Sequence, residues 1–372
     1  MKFTVSSGEL LSRLSVVGKA IATKSNIPIL DHFLFTIKGD KLNIRGSDSE
    51  ITIDTTLDIS DVEGEGSYVI PGDKMSEYLR KLPEQPIHVN INVETNTIET
   101  TTLTGITKQS AYSAEEYPVI AGIDPAESTK FTVDSDIVLS GISKTVFATS
   151  GDEIRPALTG IYLALQNGEM TFVATDSHML SRYTVSGVES NTEASIILTK
   201  KTANLLKAVL SKGEPVTIEY NNKMVKFTSS TYVFMSRLIE AVYPQYNKLI
   251  PTDNPYTITI NRSDLLNTIS RASVFANGSF LVKFICSADN VKVIAQDTDM
   301  QCSSQETLQC VYNGQPTAIG FKATLVIEIL SNMTSDEINI SIGDPSRAGL
   351  ITPSKPSDKE SELMLLMPMM IS

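Results

Sequence analysis

Along this chain, short runs of alternating apolar and polar residues are interrupted by stretches in which apolar residues return every third or fourth position. Alternation predicts strands with one buried face, and the three-to-four spacing predicts amphipathic helices. GELLSRLSVVGKAIA (8–22), SDIVLSGISKTVFAT (135–149) and RSDLLNTISRASVFA (262–276) are helices on this reading. YVIPGDKMSEYLRKLP (68–83), IILTKKTANLLKAVL (196–210) and AIGFKATLVIEILSNM (318–333) each begin as a strand and turn into a helix.

These elements recur in one order. KFTV at 2–5 returns as KFTV at 130–133 and as TITI at 257–260, each just before a helix of the first set. LNIRGSDSEI (42–51), MTFVATDSHM (170–179) and VKVIAQDTDM (291–300) each carry an alternating strand into an aspartate, namely Asp48, Asp176 and Asp297, spaced by about a third of the 372 residues. A repeat of this length governs the reading of the fold. The unit is strand, helix, several strands, a second helix, then more strands. Pro-containing stretches at 122–129 and 250–256 separate the copies, giving domains 1–125, 126–252 and 253–372. Two helices against many strands predict an α+β domain with helices packed on antiparallel sheet. An aspartate present once per copy is read as closing a turn through its side chain.

Composition narrows the function. Hydrophobic residues at 41% and charged residues at 20% are ordinary for a globular protein. The N-terminus has no apolar signal-peptide core and no apolar run is long enough to cross a bilayer, so a cytoplasmic protein without membrane association is expected. Cys286, Cys302 and Cys310 are odd in number and lack C-x-x-C spacing, and the histidines are His32, His88 and His178. Neither a disulfide framework nor a structural metal site is expected, and no cofactor. A net charge of −12 runs against generic nucleic-acid binding unless the basic residues gather on one surface.

PIL at 28–30, GSDSEI at 46–51, DEIRPALTGI at 152–161, VATDSHML at 173–180, YPQYNKLIP at 243–251 and LLMPM at 365–369 follow one another in an order that resembles the bacterial DNA polymerase III beta subunit, the beta sliding clamp, along essentially the whole chain. The resemblance implies three clamp domains per chain and a head-to-tail homodimer closing into a six-domain ring, with helices lining the hole and sheets outside. It implies a processivity factor that encircles duplex DNA without sequence preference and has no catalytic site. Val274 and Phe275 match family positions at the dimer interface.

Basic residues lie on or beside the predicted helices: Arg13, Lys19, Lys74, Arg80, Lys81, Lys144, Lys200, Lys201, Lys207, Arg262, Arg271 and Lys322. As a set they supply a positive face suited to phosphates. Lys24 matches a basic family position that touches DNA. Arg155, Pro156 and Ala157 stand where the family can carry aromatic contacts to DNA. The expected DNA-facing residues are therefore Lys24, Lys74, Arg80, Lys81, Arg155, Lys200 and Lys201.

The resemblance also implies a groove that receives short peptides from the replicative polymerase alpha subunit, the clamp loader and repair proteins. One wall is Leu158, Thr175, Ser177, His178, Met179 and Leu180. The other is Pro244, Leu249, Ser346, Leu365, Met367, Pro368 and Met369. Methionine is flexible and polarizable, which suits a surface that adapts to several peptides. Met179 and Met370 stand at positions often basic in the family.

Two rival readings belong to other classes. A three-domain scaffold protein that never encircles DNA would share the repeat and the groove. An enzyme would have to use Asp176, Ser177 and His178, but consecutive residues at a strand end point to opposite faces and do not readily share a proton. No P-loop, G-x-S-x-G elbow or H-E-x-x-H motif is present.

Overall fold

A computed structural model of the chain describes residues 1–21, 27–120, 122–189, 192–276, 278 and 280–371. The six helices described are α1 (Ser7–Val17), α2 (Gly72–Leu79), α3 (Ser135–Thr145), α4 (Lys200–Val209), α5 (Arg262–Ser273) and α6 (Ala323–Asn332). Strands Lys2–Ser6, Thr129–Asp134 and Tyr256–Asn261 lead into α1, α3 and α5, and Gly66–Pro71, Ala194–Thr199 and Thr317–Lys322 lead into α2, α4 and α6. The threefold order read from the sequence is thus present in the elements.

Local chemistry fixes the helix starts. Ser6 Oγ accepts from Glu9 N at 3.3 Å, and Asn261 Oδ1 accepts from Asp264 N at 3.0 Å, each satisfying an orphan amide of the first turn. α1 buries Leu10, Leu14 and Val17, and α5 buries Leu265, Ile269 and Ala272, the apolar stripes seen in the pattern. The helices of the first set end earlier than the pattern predicts. Gly18–Ala20 and Val146–Ala148 are 3-10 turns, and a spacing of three residues is shared by α and 3-10 windings, so periodicity does not separate them.

The chain divides into two compact units, Met1–Leu139 with Lys201–Leu238, and Ser140–Lys200 with Ile239–Ser372. Within the first unit a five-stranded sheet runs from Ser60–Glu63 to Ile106–Ser110, and a nine-stranded sheet joins strands of the first copy to strands of the second. The join is the pairing of Ile51–Asp58 with Tyr232–Arg237. Within the second unit a nine-stranded sheet joins the second copy to the third through Met179–Ser186 and Glu360–Leu366. A four-stranded sheet there ends on Cys302–Gln309. Every pairing between named strands is antiparallel, and each sheet buries alternate residues, among them Phe3, Phe35, Phe227 and Phe234 in one unit and Phe172, Tyr183 and Phe284 in the other.

The repeated aspartates do close turns. Asp48 Oδ1 accepts from Glu50 N and Ile51 N at 3.0 and 2.7 Å, Asp176 Oδ1 from His178 N and Met179 N at 2.8 Å each, and Asp297 Oδ1 from Asp299 N and Met300 N at 3.0 Å each. In the first two copies the next residue, Ser49 or Ser177, has φ of 81°. The aspartate compensates that backbone by capping the amides that follow.

Candidate peptide groove and nucleic-acid interface

The groove is assembled within the second unit. Pairing of Met179–Ser186 with Glu360–Leu366 sets Leu180 opposite Leu365, and Met367 N donates to His178 O at 2.8 Å as the chain leaves the sheet. Alternation along the terminal strand lets it face two ways: Leu365 joins the groove floor, while its neighbours Met364 and Leu366 are buried. The 3-10 turn Tyr246–Leu249 and the segment following it supply the facing wall.

The result is a cavity of about 560 Å³. Its lining includes Thr175, Ser177, Met179, Leu180, Leu249, Ser346, Leu365 and Met367 from the sequence reading. Beneath it Val173, Leu180, Ala348 and Leu365 form a buried cluster, with Tyr162, Tyr243 and Tyr246 against it. Tyr162 and Tyr243 stack at 4.8 Å, and the Tyr243 hydroxyl donates to Val173 O at 3.3 Å, with burial pushing its pKa up. This floor is therefore apolar and neutral. Leu249 and Met367 stand 60% and 43% exposed over it, so apolar surface is available to an incoming chain.

Five expected wall residues lie outside that lining. Leu158 is buried in the 3-10 turn Pro156–Thr159. His178 is exposed in the Asp176 turn and contributes its carbonyl to Met367. Pro244 is exposed and its carbonyl accepts from Tyr246 N at 2.7 Å. Pro368 is half-buried, and Met369 N donates to Gly320 O at 2.8 Å, which ties this residue to the strand before α6.

The rim holds charge that the sequence reading passed over. Arg347 binds Asp253 through two hydrogen bonds of 2.6 and 3.1 Å, and the guanidinium holds that carboxyl below its ordinary value. Lys248, Ile250, Pro251, Thr252 and Ala348 complete the lining. Each missed residue is contiguous with a chosen one, Leu249 or Ser346 or their neighbours, and that contiguity was the available signal.

The basic residues divide into two groups. Arg80 and Lys81, at the end of α2, line with Lys19 a hollow of about 730 Å³ between α1 and α2, which also holds Asp31, Asp73 and Glu77. Lys74 is exposed on α2. Among the described residues Lys19, Lys74, Arg80, Lys81, Lys200, Lys207 and Lys322 make no ion pair. Others are committed: Lys201 pairs with Asp48, Lys144 with Glu362 at 2.5 Å, Arg271 with Glu306 at 2.5 Å and Arg13 with Glu9 at 3.6 Å. Arg262 donates to the Ser335 and Leu330 carbonyls. Arg155 donates to Asp152 at 3.2 Å and to Ser177 Oγ at 2.7 Å, which places it beside the groove turn. Lys24 lies outside the described residues.

Val274 and Phe275 follow α5 with 65% and 38% of their surfaces exposed. Leu103 and Ile106, at the edge strand of the five-stranded sheet, are 83% and 65% exposed. Among the described residues no group of three His, Cys, Asp or Glu side chains is arranged to hold a metal ion, and no helix is long and apolar enough to cross a membrane.

Three family domains match this chain in order: the DNA polymerase III beta subunit N-terminal domain over residues 1–121, its central domain over 132–245 and its C-terminal domain over 247–370. The beta sliding clamp of Staphylococcus epidermidis is 25% identical over 378 residues, covering 99% of each chain. Among solved structures, the DNA polymerase III beta subunit of Thermotoga maritima superposes with a TM-score of 0.89 at 25% identity, and the beta chain of Streptococcus pneumoniae with 0.93 at 25%. Both cover 100% of this chain and of their own.

Proposed function

Because the chain belongs to the DNA polymerase III beta subunit family, with three repeated clamp domains and the function of a sliding clamp in DNA replication, we propose that two copies close head to tail around duplex DNA. The observation that carries this is the repeated sheet junction. Copy one joins copy two by an antiparallel pair of edge strands, and copy two joins copy three by the equivalent pair. One strand of each kind is left at a sheet edge, Ile106–Ser110 in the first copy and Cys302–Gln309 in the third. An unpaired edge is a template for another chain. A heterologous contact of this kind closes into a ring when its rotation allows. Val274, Phe275, Leu103 and Ile106 supply exposed apolar surface beside these edges.

In this reading the domains are 1–125, 126–252 and 253–372. The ring holds DNA by topology, aided by Lys74, Arg80, Lys81 and Lys200, which make no ion pair among the described residues, and by Lys24 as the family resemblance implies; Lys201 and Arg155 contribute after exchanging their present partners for phosphate. Nonspecific phosphate contact serves sliding, whereas base-edge contact would oppose it. The groove over Leu180, Leu365, Leu249 and Met367 takes short peptides of the replicative polymerase alpha subunit, the clamp loader and repair proteins. The protein is a non-catalytic subunit acting in the cytoplasm. The side chain of Asp176 is committed to two backbone amides, which supports reading the Asp176–His178 turn as structural.

Retention on DNA tests the proposal. Loaded by the matching clamp loader and ATP on nicked circular DNA at physiological salt, the protein stays on circles and leaves once they are linearised. Equal loss from circular and linear DNA would sink the ring and leave a scaffold with a peptide groove.

A further inference from the structure

Methionine is the apolar side chain that a mild oxidant turns polar, and one methionine lines the groove at an exposed position. Of the 12 methionines in the sequence, Met300, Met367 and Met370 are exposed, at 73%, 43% and 90%. Met300 sits in the turn that Asp297 caps and Met370 in the tail, both outside the groove lining. Met367 belongs to that lining. Met179 does too, but it is only 3% exposed and so is shut away from solvent.

The backbone holds Met367 in place. Its amide donates to His178 O at 2.8 Å and the Met369 amide donates to Gly320 O at 2.8 Å, which pins the chain on both sides of Pro368. The side chain shares the cavity with Leu249 and Leu365, where an incoming apolar peptide has to cover it. Its surroundings offer little to a new polar atom. Val173, Leu180, Ala348 and Leu365 form a floor of apolar side chains. On the rim, Thr175 Oγ1 already donates to Met179 O, Ser346 Oγ to Asp344 and Arg347 to Asp253, each at 2.6 Å. A polar oxygen on the Met367 sulfur therefore keeps its water in the empty groove and loses it under a docked peptide.

Resting on the reading of this groove as a peptide site, we propose that Met367 is an oxidation site at which hydroperoxides close the groove to partner peptides without disturbing the fold. The sulfur lone pair attacks the peroxide, and the O–O bond breaks as the S–O bond forms. With hydrogen peroxide, the leaving hydroxide takes the remaining proton and departs as water. Sulfur gives up two electrons, the peroxide takes them, and the side chain becomes the sulfoxide. Methionine sulfoxide reductases reverse the step, oxidising two thiols to a disulfide while the oxygen leaves as water. An occupied groove shields the sulfur and an empty one exposes it. Oxidation thus blocks new partners from docking while a seated partner stays, and repair restores the exchange.

Hydrogen peroxide, and a synthetic peptide of the replicative polymerase alpha subunit without Met or Cys, test this on the full-length protein. After treatment the peroxide is removed, and dithiothreitol reduces any disulfide or sulfenic acid at Cys286, Cys302 and Cys310 while leaving sulfoxides in place. Mass spectrometry is expected to find one added oxygen on Met367, and calorimetry a peptide affinity about tenfold lower, the loss that a covered polar group without a partner brings. The urea midpoint is unchanged, and reductases of both stereospecificities restore the affinity. Peptide added before the peroxide slows oxidation of Met367 and leaves Met300 as reactive as before. Met300→Leu with Met370→Leu loses affinity on treatment as the unchanged protein does, whereas treatment makes no difference to Met367→Leu, whatever its starting affinity. Met367 left unoxidised while Met300 reacts, full affinity with Met367 oxidised, or an equal loss in treated Met367→Leu each overturns the proposal and leaves the groove as a peptide site. Absence of peptide binding by the untreated protein overturns the groove reading itself.

Discussion

At the scale of single residues, the repeated aspartates show how one side chain can set a turn three times over. Asp176 holds two amides at 2.8 Å and thereby presents Ser177 and Met179 to the groove. Asp176→Ala leaves those amides to water in a turn whose φ at Ser177 is already positive, and the expected loss is about 1–3 kcal/mol, read as a lower urea midpoint in the purified dimer. Asp176→Asn keeps an acceptor and loses less. Met367 acts at the same scale through its exposed thioether chain over Leu365. Met367→Ala is expected to weaken binding of a polymerase-derived peptide about tenfold, roughly 1.4 kcal/mol, by calorimetry, with the dimer intact. Met369→Ala changes it less, because Met369 is tied to Gly320 instead of lining the cavity. From the sequence both methionines are expected in the groove; the turn of the chain after Leu366 separates them, with Met367 in the lining and Met369 outside it.

At the scale of elements, helices are held to sheets by close approach and by buried charge. A Cβ at Gly141 of α3 would lie 2.2 Å from the Phe172 ring, so the glycine permits this helix to sit down on its sheet. Three residues on, Lys144 reaches Glu362 of the terminal strand at 2.5 Å and lies 4.9 Å over the Tyr183 ring. The Glu362 side chain is only 6% exposed and its Oε1 has no hydrogen-bond partner among the described residues, so the lysine is its main compensation there. Lys144→Met strands a buried carboxylate and is expected to cost about 3–5 kcal/mol, seen as a lower melting temperature. Lys144→Met with Glu362→Leu recovers most of the loss. Full stability of the single variant would show that the pair contributes nothing. Lys144 was counted among helix cations suited to DNA, and its partner could not be foreseen, since Glu362 lies on a strand far along the chain.

At the scale of the whole molecule, function depends on closure, and contact with DNA is secondary once the ring is shut. Lys74→Ala, Arg80→Ala and Lys81→Ala together remove three of the cations proposed to meet phosphate, from α2 and its end. The expected outcome is slower loading and a flatter salt dependence, with log affinity of the open clamp for DNA losing roughly 2–3 of its slope against log salt. Retention on circular DNA stays as in the unchanged protein. Rapid loss from circles in this variant, while the dimer persists by sedimentation, would show that contacts and not topology hold the DNA. The net charge of −12 is untouched by ion pairing, because Asp48, Glu306 and Glu362 each cancel one cation, Lys201, Arg271 and Lys144, and leave a smaller set of free cations on the helices.

What the sequence determined by itself was local or repetitive. Alternation and three-to-four spacing are consequences of strand and helix geometry, the Asp48, Asp176 and Asp297 turns use side chains two and three residues from the amides they cap, and the threefold order is written in the chain. Tertiary structure alone decided which strand edges meet, because Ile51–Asp58 finds Tyr232–Arg237 across most of two copies and nothing in either strand's pattern names the other. It also decided which cations are already spent and that Arg347 and Asp253 stand together on the groove rim, since ion pairs depend on separation in space and sequence distance does not report it. Edges, pairs and rims are therefore legible only once the sheets are built.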